Sequence, residues 1–416
     1  MAKLRIITGT YWQAVRVRVQ NCVAIGLLLC SVVTGCAHSV RLTTPPSGKP
    51  MSQFKVLTYN TLHGLEPSGW TVKLSESKEI REARLNLQFQ QLSLVQPELL
   101  LLLQEVNPLP AMAERYVTAL KNSGLQYSEV HQVDACGVRL APGLAVVPDL
   151  NNGLAVLAKA PLKLRKVVGL KLSGGFGWCN DYMGMQTGEL RYALIAEVEN
   201  PETGRKFLAV SLHLYSGIER DAFFIQKIAD AQDQGRVRRE DLEGLLTVLQ
   251  QNQERRVTEV RVLIKELVRL QADGAYLGAI IGGDFNFEAD SPEYRELEQA
   301  GLRDTYMMAS HSENVHSYDP QRNVIAGQGE VEVPSPVRDA VRSLPESQQQ
   351  KVFEEYRRGI SQARRIDFLF LMRKTTESPK GCLKQELFGA PTPVSVQPGS
   401  DHYGVLGTYI ADPTQC

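Results

Sequence analysis

The segment Ile281-Gly282-Gly283-Asp284-Phe285-Asn286 continues a short apolar run that begins at Ala279. The apolar residues predict a β-strand over Ala279–Gly282, and two consecutive glycines allow another stretch of backbone to approach closely. Asp284 and Asn286 are two positions apart, so their side chains point to the same side of an extended segment. A lone carboxylate at this position could be an ordinary solvated strand end. A carboxylate and an amide on the same side are harder to explain in that way.

Polar side chains also stand at the ends of other predicted strands. They are Asn60 after Phe54–Tyr59, Glu105 after Leu99–Gln104, His213 at the end of Lys206–His213, Asp367 within Ile366–Leu371, and Asp401 with His402 before Val405–Tyr409. One edge of a sheet would present such strand ends together. Taken singly, each has an ordinary explanation: a strand-end carboxylate is often a cap, Asn60 suits a turn, and His213 suits a hydrogen-bonded core histidine.

Short apolar runs alternate with helical patterns from Phe54 onward. Apolar residues at helical spacing predict helices over residues 78–95 and Glu240–Leu270. The leucine run Leu99–Gln104 predicts a strand that is buried on both faces. Because no linker-like composition follows residue 52, the sequence predicts one large α/β domain.

The order of these segments and their amino-acid sequences resemble those of the endonuclease/exonuclease/phosphatase superfamily, from about Phe54 to Tyr409. The stretch Asn151–Pro161 also resembles a connecting strand of that family and the proline after it. The resemblance implies an α+β fold like that of deoxyribonuclease I, with two packed, mainly antiparallel β-sheets flanked by helices. The domain would cover residues 53–411, with a helical insertion at about residues 219–273.

The resemblance also implies a metal-dependent reaction. A phosphodiester carries a negative charge that repels hydroxide, so its hydrolysis needs a cation and an aligned water. Glu105 would be the principal Mg²⁺ ligand, Asn60 would help to hold the metal or a phosphate oxygen, and Asp401 would lie close behind. Hard oxygen ligands suit Mg²⁺, with Mn²⁺ as the alternative cation. Asp284 would orient and deprotonate the attacking water, and Asn286 would donate a hydrogen bond to the scissile phosphate.

Two histidines complete the implied site. His213 and His402 would donate to the nonbridging phosphate oxygens as negative charge builds up. Asp367 and Asp401 would orient these imidazoles and raise their pKa values. His63 is either a further phosphate contact or a histidine of a surface loop.

The N-terminal residues 1–35 have the features of a signal peptide. Basic residues precede an apolar core at residues 22–33 that is too short to span a bilayer. The junction Val33-Thr34-Gly35-Cys36 resembles the bacterial lipobox, which implies that Cys36 is lipidated and becomes the first residue of the mature protein. Residues 36–52 would then form a flexible tether. A plain secretory signal and a buried hydrophobic segment are the alternatives.

Four cysteines remain after residue 36, namely Cys136, Cys179, Cys382 and Cys416. This even number is compatible with two disulfides in an oxidising periplasm, for which three pairings are open. The spacing matches no zinc-binding pattern. Four buried free thiols are the alternative.

The resemblance leaves the substrate open, because the family includes nucleases, phospholipid diesterases and phosphoinositide phosphatases. The chain has 46 basic and 46 acidic residues, which excludes a strongly basic nucleic-acid coat protein. A lipid anchor would hold the domain at a membrane, where phospholipid head groups are concentrated. We therefore favour a phosphodiesterase acting on a lipid or another small phosphate ester over nucleic acid. A nuclease, a phosphomonoesterase and a non-catalytic binding protein are the alternatives.

Two segments bear weakly on the choice of substrate. The loop Ser317–Asn323 resembles a substrate-side loop of diesterase-like family members. The insertion over residues 219–272 holds ten basic and ten acidic side chains, which is unlike a polycationic DNA clamp. We expect this insertion to form a helical hairpin packed on the domain rim, and the alternative is a contact with a membrane or a partner.

We expect the Cys36→Ser variant to be released from membranes, because a diacylated cysteine is a stable anchor. Ala37 is compatible with sorting to the outer membrane, so the wild type should lie on the periplasmic side of the outer membrane in the bacterial cell envelope. Cell fractionation and mass spectrometry of the N-terminus measure both properties. A soluble wild type with an unmodified N-terminus would contradict the prediction.

Overall fold

The computed structural model describes residues 53–68, 71–74, 76–95, 99–135, 152–174, 190–217, 224–226, 229–230, 233–234, 239–272, 274–311, 315–329, 333, 335–373, 382–390 and 398–410. All of them belong to one compact unit, Gly48–Cys416. The predictions for the signal peptide, Cys36 and the tether lie outside the described residues. In the described part of the chain, no helix is long and apolar enough to cross a membrane.

The strands are β1 (Gln53–Asn60), β2 (Leu65–Ser68), β3 (Thr71–Leu74), β4 (Leu99–Gln104), β5 (Tyr127–Ala135), β6 (Asn152–Lys159), β7 (Lys163–Ser173), β8 (Arg191–Asn200), β9 (Arg205–His213), β10 (Gly278–Asp284), β11 (Leu302–Asp304), β12 (Ser310–His311), β13 (Asp367–Arg373), β14 (Cys382–Phe388) and β15 (Gly404–Ile410). The helices are α1 (Lys78–Leu94), α2 (Ala111–Asn122), α3 (Arg239–Ala272), α4 (Pro292–Gln299), α5 (Thr305–Met308), α6 (Val324–Gly329), α7 (Ser335–Ala340) and α8 (Glu346–Ile360).

Two large sheets form the centre of the domain. The first sheet has the strand order β12-β14-β15-β1-β4-β6-β5, the second has the order β11-β13-β10-β9-β8-β7, and β2 and β3 form a separate hairpin. The pairs β1–β4, β9–β10 and β12–β14 are parallel, and the other described pairs are antiparallel. The prediction of two packed, mainly antiparallel sheets flanked by helices is confirmed.

Strand β4 occupies the middle of the first sheet, where both of its faces are covered. Leu101 and Leu103 pack with residues of α1 and α2 on the outer face, whereas Leu100 and Leu102 pack between the two sheets. All four side chains are fully buried. A central strand with apolar neighbours on both faces explains why the sequence has consecutive leucines here instead of alternating polarity.

Helix α3 confirms the helix predicted over Glu240–Leu270 and is part of the core. Val260, Leu263 and Leu267 are fully buried in the apolar cluster that covers the outer face of the second sheet. Residues 219–238 are described only in short pieces, so the second arm of the expected hairpin stays a prediction. Cys382 is disulfide-bonded, while Cys136, Cys179 and Cys416 lie outside the described residues.

The double glycine lies where the two sheets approach each other. A β-carbon on Gly282 would lie 2.7 Å from Cδ1 of Leu102 and 2.9 Å from Cβ of Thr58, both of which belong to the first sheet. A β-carbon on Gly283 would lie 2.1 Å from the carbonyl oxygen of Leu212 in β9. The expectation that the glycines permit close backbone approach is confirmed.

The same end of the sandwich carries polar contacts between the sheets. Gln104 at the end of β4 donates from Nε2 to Oγ of Ser211 in β9 over 3.0 Å. Ser211 in turn donates to the carbonyl oxygen of Leu103 over 2.9 Å. These buried hydrogen bonds fix how the ends of β4 and β9 lie against each other.

The side chains that helix α1 buries differ from those that its apolar residues predict. Ile80, one of the apolar residues that predict this helix, is 60% exposed. Three polar side chains of the helix are buried instead, namely Arg81, Arg84 and Gln88. The helix therefore presents a polar stripe, as well as leucines, to the interior.

Two ion pairs join α3 to α4 and allow a matched stability test. The Arg256–Glu293 pair is buried, with a nitrogen–oxygen distance of 3.0 Å. In the Arg261–Glu296 pair this distance is 2.6 Å, and the side chain of Arg261 is largely exposed. We expect Arg256→Met to lower the free energy of unfolding by about 3–5 kcal/mol, because it leaves a buried carboxylate uncompensated. Arg261→Met should have a much smaller effect, because solvent screens an exposed ion pair. Chemical denaturation measures both, and equal effects would contradict this prediction.

Candidate active site

The ends of five strands from the two sheets meet at one edge of the sandwich. In the second sheet, Asp284 at the end of β10 is in register with His213 of β9 on one side and with Asp367 of β13 on the other. In the first sheet, Asn60 at the end of β1 is in register with Gln104, directly before Glu105. The structure therefore brings together the strand-end residues that the sequence singled out.

Asn60 connects the two sheets at this edge. Its Nδ2 donates to Oε1 of Glu105 and to Oδ2 of Asp284, each over 3.1 Å. The backbone N–H of His63 donates to Oε2 of Glu105 over 2.9 Å, and Nε2 of His63 lies 3.5 Å from the same oxygen. His63 thus lies at the site, although its contact with phosphate stays a prediction.

His402 and His213 flank Asp284. Nε2 of His402 lies 3.7 Å from Oδ2 of Asp284, and Nε2 of His213 lies 3.6 Å from the same oxygen. Nδ1 of His402 lies 2.7 Å from Oδ2 of Asp367, which fits the expected orienting role of that carboxylate. Asp284, Asp367 and His402 are also close enough together to share a metal ion.

Asn286 lies beside Asp284, although part of its hydrogen-bonding capacity is already used. Its backbone N–H donates to Oδ1 of Asp284 over 3.0 Å, and its Nδ2 donates to the carbonyl oxygen of Leu214 over 3.1 Å. A side-chain amide has two N–H donors, so one remains for a phosphate oxygen. Asn286 also has a φ of 51°, in the left-handed region that is costly for residues other than glycine.

Residues that the sequence reading did not assign hold Asp401 and His402 in place. Oγ of Ser400 lies 2.7 Å from the carbonyl oxygen of Asn60 and 3.1 Å from Oδ1 of Asp401, and its single hydrogen can be donated to either oxygen. Asn323 donates from Nδ2 to the carbonyl oxygens of Ser400 and Asp401 over 2.9 and 3.0 Å. The sequence indicates this role only by position, because Ser400 directly precedes Asp401 and Asn323 ends the loop Ser317–Asn323.

The loop Ser317–Asn323 borders the site. The ring of Tyr318 packs edge-on against His402 with a centroid distance of 5.1 Å. Oγ of Ser317 accepts hydrogen bonds from the backbone N–H groups of Ile366 and Asp367. The loop that resembles a substrate-side loop therefore contacts two functional strand ends.

The buried carboxylates strongly affect one another. Burial raises the pKa of Asp284 to about 8, and the charges of Asp367 and Glu105 act in the same direction. Burial also raises the pKa of Asp401, again with a contribution from Glu105. Burial opposes the ionisation of Glu105 as well, but His63 and the hydrogen bonds from the backbone of His63 and from Asn60 hold its pKa below its usual range.

The two imidazoles have opposite charge preferences. Burial disfavours the charged form of His402, but Asp367, Asp284 and Asp401 outweigh it and raise the pKa of His402 well above its usual value. Burial and the charge of Arg191 lower the pKa of His213 well below its usual value. The expectation that carboxylates raise both pKa values is wrong for His213. A neutral imidazole still has one N–H donor, so His213 can donate without a charge.

The side chains at this edge fit a divalent cation. The charge of Glu105 raises the pKa values of both Asp284 and Asp401, which indicates an excess of buried negative charge. Glu105 stays ionised, and its two oxygens retain lone pairs beyond those that accept from Asn60 and His63. Such an oxygen-rich set is what Mg²⁺ and Mn²⁺ prefer.

Comparison with known proteins agrees with this arrangement. The family model of the endonuclease/exonuclease/phosphatase family matches residues 57–402, which include every proposed catalytic and metal-binding residue. The chain belongs to the endonuclease/exonuclease/phosphatase family. Enzymes of this family use divalent metals and hydrolyse phosphoesters, so the chain is a phosphoesterase.

Several solved structures are similar to this chain. A family member from Bacteroides thetaiotaomicron is 16% identical, with 86% of this chain and 95% of that chain covered and a TM-score of 0.49. Truncated TDP2 from Caenorhabditis elegans is 14% identical, with coverages of 86% and 98% and a TM-score of 0.48. A mannosyl-6-phosphatase from Bacteroides thetaiotaomicron is 14% identical, with coverages of 86% and 99% and a TM-score of 0.43. No curated protein matches the chain.

The Asp367→Asn variant tests whether Asp367 orients His402 or binds metal. We expect turnover to fall on the order of 10²–10⁴-fold, because the amide cannot stabilise the imidazolium of His402. The affinity for Mn²⁺, measured by isothermal titration calorimetry, should be retained. A loss of Mn²⁺ binding that parallels the loss of turnover would instead make Asp367 a metal ligand together with Asp284 and His402.

Proposed function

We propose that the chain is a Mg²⁺-dependent phosphodiesterase that acts on a phospholipid head group or another small phosphate ester at the cell envelope. The observation that carries the reaction class is the position of Asp284. Its Oδ2 accepts a hydrogen bond from Asn60 and lies within 3.7 Å of both His213 and His402. One carboxylate is thus surrounded by an amide and two imidazoles, on the same edge as Glu105.

Asp284 is placed to act as the general base. Its environment raises its pKa to the neutral range, where a base is best matched to accepting a proton from water. Asn60 holds the carboxylate through a 3.1 Å hydrogen bond, so its orientation is set before substrate binds. Asn286 binds the other carboxylate oxygen through its backbone N–H and offers its remaining side-chain donor to a phosphate oxygen.

The imidazoles stabilise the charge that develops on the phosphate oxygens. His402 is held protonated by Asp367 and donates from Nε2. His213 stays neutral and donates one N–H. Because both side chains are buried, these interactions act in a water-poor environment where they are strong.

Glu105, Asn60 and Asp401 are the side chains that would hold Mg²⁺. When bound, the cation neutralises charge on the phosphate and lowers the pKa of a coordinated water. Glu105 is suited to this role because it stays ionised in spite of its burial. Asp401 is fixed by Ser400, whose hydroxyl also contacts the backbone of Asn60.

The preference for a lipid substrate rests on the sequence. The N-terminal lipobox-like motif would bring the domain to a membrane surface, and a formal net charge of zero gives no long-range attraction to a polyanion. A small ester needs only a local site, such as the edge formed by Asp284, His213 and His402. Both considerations support a small phosphate ester over long nucleic acid.

We expect excess EDTA to abolish hydrolysis and Mg²⁺ or Mn²⁺ to restore it. Asp284→Ala should lower kcat on the order of 10²–10⁴-fold without rescue by metal, because it removes the base. Glu105→Gln should recover part of its rate in excess cation, because it mainly weakens metal binding. Asp339→Ala, at an exposed carboxylate of α7, is the matched control and should behave like wild type. Hydrolysis that persists in EDTA or in Asp284→Ala would contradict the proposed site.

The substrate is tested with a panel of sphingomyelin, glycerophospholipids, phosphoinositides, RNA and plasmid DNA. Wild type and Asp284→Ala are assayed in parallel, so that a contaminating activity is recognised by its indifference to the variant. Hydrolysis of one or more lipids that disappears in the variant supports the proposal. Variant-sensitive cleavage of nucleic acid alone would keep the mechanism and overturn the lipid substrate.

A further inference from the structure

Helix α1 presents three long polar side chains to the interior directly behind the active site. Arg81, Arg84 and Gln88 follow helical spacing and therefore share one face of the helix. Their exposed fractions are 9%, 6% and 0%. Arginine is rarely buried to this extent unless its donors are satisfied, so the partners of this face are informative.

Arg84 and Gln88 both bind the same two backbone segments. Arg84 donates from Nη1 to the carbonyl oxygens of Thr61 and Gly399 over 2.8 and 3.5 Å. Gln88 donates from Nε2 to the same two carbonyl oxygens. Arg84 also donates to the carbonyl oxygen of Leu62 over 3.2 Å. Two neighbouring side chains thus join the loop after β1 to the loop before β15.

Arg81 adds a third segment to this set of contacts. Its Nη1 donates to the carbonyl oxygen of His63 and its Nη2 donates to that of Asn107, each over 2.7 Å. His63 belongs to the loop after β1, and Asn107 lies two residues after Glu105. The loop after β4 is therefore held to the same helix face.

The three connected loops carry the side chains assigned to the metal. Asn60 directly precedes the bonded carbonyl groups of residues 61–63, Glu105 lies two residues before Asn107, and Asp401 lies two residues after Gly399. None of the three helix side chains needs to touch the metal in order to influence it. They set the distances between the loops whose side chains would bind it.

Two features show that these loops need such support. Leu62 and Glu105 have φ angles of 60° and 57°, a conformation that costs on the order of 1–3 kcal/mol for residues other than glycine. Buried carbonyl groups outside regular structure also need donors. The helix face supplies those donors, and it is itself fixed: Glu76 accepts from Nε of Arg84 over 3.0 Å, and Tyr116 donates its hydroxyl to Oε1 of Gln88.

We propose that Arg81, Arg84 and Gln88 are positioning residues that preorganise Asn60, Glu105 and Asp401 for metal binding, an inference that rests on the proposed metal-dependent function. The three side chains act through the backbone of the loops and contact neither substrate nor metal. Their loss lets the loops move apart, so the metal binds more weakly even though every ligand is still present.

The test compares Gln88→Met and Arg84→Lys with Arg115→Gln. Methionine resembles glutamine in volume and removes both donors, and lysine keeps the charge while losing the planar fork. Arg115 pairs with Glu82 on the outer part of α1 and is the matched control. We expect the first two variants to bind Mn²⁺ about 10–100-fold more weakly by calorimetry, the usual scale for residues that orient metal ligands. Arg115→Gln should bind like wild type, and excess Mn²⁺ should restore much of kcat in the first two variants.

A second measurement needs no metal. Hydrogen–deuterium exchange, followed by mass spectrometry of a peptide containing residues 61–63, reports whether the loop after β1 opens. Faster exchange in Gln88→Met and Arg84→Lys, but not in Arg115→Gln, supports positioning by the helix face. Unchanged exchange and unchanged Mn²⁺ affinity in folded variants would overturn the inference. Wild-type protein that binds no Mn²⁺ would overturn the proposed function, while the exchange data would still show whether the helix face holds the loop.

Discussion

The hydrogen bond between Asn60 of the first sheet and Asp284 of the second requires the two sheets to meet at one edge. This contact is sterically feasible because Gly282 has no side chain where Thr58 and Leu102 of the first sheet approach it. Gln104 and Ser211 fix the same edge with buried hydrogen bonds between the sheets. Strand register then brings His213 and Asp367 to Asp284, so the site follows from how the sheets pack.

The electrostatic properties of the site follow from this convergence. Several carboxylates lie together out of water, which raises the pKa of Asp284 and Asp401 and leaves buried negative charge for a cation to neutralise. The pKa values of the two imidazoles shift in opposite directions. That of His402 is raised because it contacts Asp367, whereas that of His213 is lowered because it is buried near Arg191. One charged donor and one neutral donor therefore stand on either side of a single base.

The sequence predicted which side chains meet at this edge, because each of them lies next to an apolar run. Strand ends such as Asn60 and Asp284 can be recognised from the apolar residues that precede them. The leucines of β4 predict a strand that is covered on both faces. Strand β7 was not predicted, because its many lysines and exposed positions lack the apolar pattern of a buried strand. The inward polar face of α1 was missed because helical spacing places Arg84 and Gln88 on one face but does not say which face is buried. The low pKa of His213 depends on distant residues such as Arg191, which no local pattern reveals.

Locating the cation is the most direct test of which residues bind the metal and which act as the base. Crystals of the wild-type domain grown with Mn²⁺ and measured at the manganese absorption edge would show the ion as an anomalous peak. We expect a peak next to the carboxylate of Glu105, within reach of Asn60 and Asp401, on the edge where the sheets converge. A single peak bound by Asp284, Asp367 and His402, with no contact to Glu105, would contradict the assignment of base and metal ligands.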